Sequence, residues 1–177
     1  KLIDALSILS KSSPFAVSTD RVSESTLSTF KKYIYIQTDI EADFKTKLMQ
    51  CQPGQIIFLC GSSGDGKSEI LTQYKNQWKS KIDFHLDATH SFNPDQTAIN
   101  TLDERFTQFK ASGRPLVVGI NIGMLGNYAE EGSEEHVEIT QAIKSFLSGR
   151  REDIPSKYVF LDFEDYCSRR YFMAKSI

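Results

Sequence analysis

The chain has 177 residues, 40% of them hydrophobic and 25% charged, with 21 Lys and Arg against 23 Asp and Glu. That length can bury one substantial domain with an appendage, and a net charge of −2 is not the footprint of a free-standing nucleic-acid binder. No apolar run approaches a membrane span, and no secretory leader is read at the start.

Residues 1–37 read as an N-terminal extension and residues 38–177 as the core. Lys1 to Ser10 has the apolar spacing of a short amphipathic helix, through Leu2, Ile3, Leu6 and Leu9. A Ser/Thr-rich connector with Pro14 follows, and Phe30 to Gln37 reads as a short strand or a helix end. Thr38-Asp39-Ile40-Glu41 fits a capping box, predicting a helix from there to Gln50. Pro53-Gly54 turns the chain into Gln55 to Cys60, an apolar run of the kind buried on both faces of a sheet.

Beyond a glycine-rich loop, Ile70, Leu71, Tyr74 and Trp78 fall on one helical face. Ile82 to Leu86 reads as a strand ending at Asp87. Thr97 to Lys110 reads as a helix with Ile99, Leu102, Phe106 and Phe109 inward, closed by Ser112-Gly113. Leu116 to Asn121 is the next strand. Glu134 to Leu147 is a helix through Val137, Ile139, Ala142, Ile143 and Phe146, ended by Gly149, and Tyr158 to Phe163 is a fourth strand. Alternating strands and helices predict an α/β fold, a parallel sheet covered on both faces. Ligands in such sheets bind at the strands' carboxyl ends.

The loop is Gly61-Ser62-Ser63-Gly64-Asp65-Gly66-Lys67-Ser68, which fills the G-x-x-x-x-G-K-[ST] pattern of a phosphate-binding loop, or Walker A motif. Glycines let successive N–H groups turn toward a phosphate. Lys67 offers an ammonium to the β/γ oxygens, and Ser68 offers a hydroxyl to Mg²⁺. The helix that starts here adds its positive dipole end. The plain alternative is a Ser/Gly surface turn, but strand, loop and helix are the setting that the motif requires. Asp65 is unusual there, because a carboxylate near phosphates repels them; its side chain is expected to face outward.

A triphosphatase also needs an acid at a strand end to hold the metal's shell. Asp87 and Asp162 both qualify. Asn121 ends its strand where many AAA-like ATPases place a γ-phosphate sensor, and in those proteins the acid-bearing strand comes just before, which selects Asp87. The bland alternatives are an Asp opening a turn, a solvated acidic strand end at Asp162, and an Asn bonded to a neighbouring loop. Ala88 stands where hydrolysing relatives place a water-orienting Glu; Thr89, His90 and Glu164 are the remaining candidates. Arg150-Arg151 reads as a surface pair neutralised by Glu152 and Asp153, or as the arginine finger of a ring-forming homo-oligomer. Glu130, Glu131, Glu134, Glu135 and Glu138 read as a solvated helix start. His85, His90 and His136 lack metal-ligand spacing. Three cysteines without CxxC spacing argue against disulfides or zinc and for a reducing, cytoplasmic setting, with Cys60 as a buried filler.

Four stretches together resemble the DptF family, also called DndF. They are Ala5 to Ser10, Phe58 through Ile70, His85 to Phe92, and Val118 to Leu125. The family is the predicted ATPase component of bacterial DNA phosphorothioation-dependent restriction systems. The likeness spans nearly the whole chain and implies the N-terminal part of a longer polypeptide, in line with a start on Lys1 instead of Met. It implies ATP and Mg²⁺ as ligands, companion restriction proteins as partners, a role in host (antiviral) defence, and DNA reached through the complex. Residue roles carried over are limited to Gly61 to Ser68, Asp87 and Asn121. The competing readings are a nucleotide-dependent switch with little hydrolysis, a small-molecule kinase, and a scaffold whose nucleotide is structural.

Overall fold

A computed structural model describes residues 37–88 and 97–166. The expected N-terminal helix, its connector, the 30–37 segment but for Gln37, and Thr89 and His90 lie outside those residues. Four strands form one all-parallel sheet: β1 (Ile56–Gly61), β2 (Asp83–His85), β3 (Leu116–Asn121) and β4 (Tyr158–Asp162), in the order β2-β3-β1-β4. Among the described residues five helices cover it: α1 (Asp39–Gln50), α2 (Lys67–Trp78), α3 (Ala98–Ser112), α4 (Ile122–Glu131) and α5 (Val137–Leu147). The class is therefore α/β with helices on both faces.

Strand alternation explains the two-sided core. Ile56, Phe58 and Cys60 of β1 face a cluster built with Leu102 and Phe106 of α3, Leu125 and Tyr128 of α4, and Ile139 and Ile143 of α5. Ile57 and Leu59 face the other way, onto Phe44 and Leu48 of α1 and Ile70, Leu71 and Tyr74 of α2. Every residue of β1 is buried. The first cluster is ordered by rings: Phe160 stacks on Phe58 at 4.6 Å and on Phe146 at 4.4 Å, and Phe106 meets Tyr128 edge-on at 5.2 Å.

Several elements differ from the sequence reading. α1 forms, but no capping box does. Thr38 makes no side-chain cap bond, and Glu41 is buried, accepting the Tyr74 hydroxyl at 3.0 Å. An inward Glu41 tied to α2 cannot reach back to the helix start. α4 was unassigned from sequence. Its Gly123 and Gly126 cost about 1 kcal/mol each in a helix, yet Asn121 caps it and Leu125, Tyr128 and Ala129 bury its inner face. Consequently Glu130 and Glu131 end a helix; they do not begin one.

The helix expected over Glu134 to Leu147 is two pieces, a 3-10 turn at Glu134–His136 followed by α5. The break puts His136 inside and leaves Val137 53% exposed. Glu138, in the first turn of α5, pairs with Lys157 at 2.5 Å. β2 is shorter than Ile82 to Leu86, and β4 stops at Asp162, with Phe163 already in a helical turn.

Candidate functional site

Register brings the sequence-predicted residues to one edge of the sheet. Gly61 pairs with Asn121 of β3, and Cys60 pairs with Asp162 of β4. Ala88, just past β2, donates its N–H to the Gly119 carbonyl at 2.9 Å. Parallel neighbours lie about 4.8 Å apart. Asn121 and Asp162 therefore flank the glycine loop one strand away on either side, and Asp87 sits one strand further, roughly 10 Å out.

The loop itself is an exposed curl over residues 62–66 that passes into α2. Gly64 and Gly66 both have φ of 90°, a conformation that costs other L residues about 1–2 kcal/mol. No atom lies within 4 Å of where their Cβ would stand, so backbone conformation alone demands glycine there. Gly66 is the N-cap of α2 and brings no side chain to cap its first turn. The opening N–H groups of α2, at Lys67 and Ser68, thus face the curl as anion donors.

Lys67 folds back and donates from Nζ to the Ser62 carbonyl. Burial pulls its ammonium below the usual lysine range, opposed chiefly by the negative charge of Asp65 and then by those of Asp87 and Asp162. Asp65 does not face outward as expected. Its carboxylate turns back over the loop and accepts the Ser62 N–H, because Gly61 has no Cβ to exclude it: a Cβ there would stand 2.5 Å from Asp65 Oδ2.

Asp87 is half-buried. The N–H of Asp83 bonds the Pro115 carbonyl at 2.9 Å. Strict parallel pairing would then give the Gly119 carbonyl to Asp87. Ala88 takes it instead, so one extra residue is fitted between His85 and Ala88. Such an insertion re-aims a side chain at a strand end. It takes Asp87 out of the alternation that would turn it toward α3. Gly119 makes this possible, since a Cβ there would meet Leu71 Cδ1 at 2.3 Å and the Leu86 carbonyl at 2.6 Å. Sequence reasoning missed Gly119; a glycine inside an apolar strand was the available signal.

Asn121 accepts the Met124 N–H at 2.6 Å and caps α4. Its Oδ1 is committed to the helix, and the amide NH₂ is the group it can offer a ligand. Asp162 is buried and accepts the Glu164 N–H at 3.1 Å. Burial raises its pKa, with Asp165 and Asp65 adding to the rise and Glu164 N–H and Arg151 opposing it. Glu164 itself is exposed.

Arg150 pairs with Asp153 at 3.8 Å. Arg151 pairs with Asp165 at 3.0 Å and lies over the Phe146 ring at 4.2 Å. The expected neutralisation by Glu152 is therefore corrected to Asp165, a partner reached only through the fold. Cys60 is a buried thiol, its pKa pushed up mainly by burial. Among the described residues no group of three or more His, Cys, Asp or Glu could hold a metal, and no helix is long and apolar enough to cross a membrane.

A second depression, of about 370 Å³, is lined by Asp103, Thr107, Ser133, Glu135 and His136 and shares no residue with the loop edge. Several of its polar groups bond one another, while His136 Nδ1 is buried without a hydrogen-bond partner. Asp103 Oδ1 accepts the Tyr128 hydroxyl at 2.6 Å and the Ser133 N–H at 3.1 Å, and the Asp103 carbonyl lies 3.0 Å from His136 Nε2.

No protein-family model, curated protein or solved structure matches the chain. The resemblance to the DptF family therefore rests on the residues quoted for it.

Proposed function

We propose that this domain is a P-loop nucleoside triphosphatase of AAA-like type that binds ATP with Mg²⁺. In this reading it serves as the ATPase component of a DNA phosphorothioation-dependent restriction system, alongside companion restriction proteins. One observation carries the reading. At the C-terminal end of β1, a curl with two left-handed glycines opens a helix whose first turn has no side-chain cap, and Lys67 at its start folds back onto the curl at the Ser62 carbonyl. Asp87 and Asn121 at the same edge support it.

The chemistry asks for little covalent work from the protein. The loop amides and Lys67 hold the polyphosphate, and Ser68 and Asp87 supply the hard oxygen donors that suit Mg²⁺. One or two such donors are what Mg²⁺ usually takes from a protein, the rest coming from phosphates and water. Bound Mg²⁺ would neutralise charge on the phosphate oxygens. The Asn121 amide, its oxygen pinned by the α4 cap, offers a donor to the terminal phosphate. A polyanion beside Lys67 would raise its pKa, against the lowering that burial causes.

A second reading is favoured by Ala88, which is 1% exposed. No carboxylate follows Asp87 to orient water, so the domain is alternatively a nucleotide switch with slow turnover. Calorimetry and phosphate release, with and without DNA, test both on wild type and Lys67→Ala. The ATPase reading expects binding and turnover in wild type and the loss of both in a folded Lys67→Ala. Binding without phosphate release selects the switch. No heat with any purine triphosphate removes both.

A further inference from the structure

Two charged side chains of the loop hold the same residue from opposite sides. Asp65 accepts the Ser62 N–H, and Lys67 donates to the Ser62 carbonyl. The contact is built in, because Gly61 leaves its Cβ space to Asp65 Oδ2. On the triphosphate reading of the loop, we propose that Asp65 is an intramolecular anion that closes onto the loop's own backbone and competes with the nucleotide's phosphates.

Asp65 offers the chemistry of a phosphate oxygen in place of a phosphate. It is a negatively charged acceptor on a loop N–H, beside the ammonium that the nucleotide needs. Among the charges acting on Lys67, that of Asp65 is the strongest. Nothing else in the sequence requires a carboxylate at this position: Asp65 is exposed, its Cβ packs on no core cluster, and a neutral residue would leave the curl of Gly64 and Gly66 intact. Binding therefore requires the carboxylate to swing off Ser62, or to stay and repel the incoming phosphate oxygens. Either course lowers affinity for polyanions. At contact distances near 4 Å, one such repulsion in a solvated loop corresponds to about a five- to tenfold change in affinity.

Asp65→Asn and Asp65→Ala separate charge from hydrogen bond. Asn can keep an oxygen on the Ser62 N–H while losing the charge; Ala removes both. Titrations of ATP·Mg²⁺ and of inorganic pyrophosphate into the full chain, with folding followed by circular dichroism, supply the readout. Competition expects both variants to bind both ligands about five- to tenfold more tightly than wild type. A neutral Asp65→Asn with a weakened Asp65→Ala would make Asp65 a clamp that supports the binding conformation, and would overturn the proposal while leaving the nucleotide site standing. Absence of binding in wild type and both variants overturns the nucleotide reading and the proposal together.

Discussion

The two flanks of the glycine loop end in the same residue type and treat it in opposite ways. On the β4 flank, Asp162 pairs directly with Cys60 and is 7% exposed. Regular alternation leaves it on the face shared with Cys60 and Tyr158, across the sheet from α2. On the β2 flank, Asp87 is one strand further from the loop but is half-buried, and the extra residue before Ala88 takes it out of that alternation. Of the two acids, the one on the outer-strand flank acts more strongly on Lys67. A carboxylate kept in register becomes part of the packing; one shifted out of register at the rim can turn toward a ligand.

The comparison breaks most sharply at the acids themselves. On the proposed ATPase reading, Asp87→Asn is expected to cut Mg²⁺-dependent phosphate release on the order of a thousandfold, and Asp162→Asn to leave it near wild type. Single-turnover phosphate release measures both, and the opposite ranking would assign the proposed metal role to Asp162.

The flanks also differ in how they answer pH. His85, inside the sheet, has its pKa lowered to about 4 by burial, with Arg105 lowering it further and Asp87 opposing. Below pH 6.5 the unfolded chain takes up a proton that the native imidazole refuses. Stability should fall by about 3 kcal/mol as pH drops from about 6.5 to about 4, then level off. Asp162 has the opposite sign. Its raised pKa favours the native state at low pH, and that contribution is lost as pH rises through the folded value. Denaturant titrations across this range should show His85→Leu flattening the acid loss and Asp162→Asn gaining stability only near neutrality. A wild-type curve level from pH 7 to 4 would refute the His85 account.

Smaller effects sharpen the same contrast. Gly119→Ala should cost about 1–3 kcal/mol, because Leu71 and the Leu86 carbonyl already fill that space. Gly126→Ala, with open space at its Cβ, should gain up to about 1 kcal/mol through helix propensity. Equal melting shifts for the two would rule out close approach as the reason for Gly119. Asn121→Ala should cost about 1 kcal/mol as a lost cap, whereas Asn121→Asp keeps an oxygen for the Met124 N–H. If Asn121→Asp retains full turnover as well as stability, Asn121 is only a cap.

Much of the frame was legible in the chain. The apolar runs at Ile56–Gly61 and Leu116–Asn121 are buried strands because nothing polar interrupts them, and Gly113 closes α3 with the left-handed φ of 64° that its glycine allows. The helix stripes Leu102, Phe106, Phe109 and Ile70, Leu71, Tyr74 are inside. What failed were local signals that tertiary contacts outbid. Glu41 left its capping role for Tyr74, Ile122–Glu131 became helical despite two glycines, and Asp65 turned back onto the loop's Ser62 N–H where electrostatics alone argued away from it.

The linear pattern determined the strands, most helices, the parallel α/β class and the loop whose glycines curl the backbone, since these depend on spacing and on single-residue conformational limits. Only the folded chain decided which carboxylate sits beside which strand, that Asn121 caps a helix, and that Arg151 meets Asp165 instead of its neighbour. The first follows from register and strand order, which pair residues dozens of positions apart; the other two depend on where a strand ends and a helical turn begins, which side-chain burial in the fold decides.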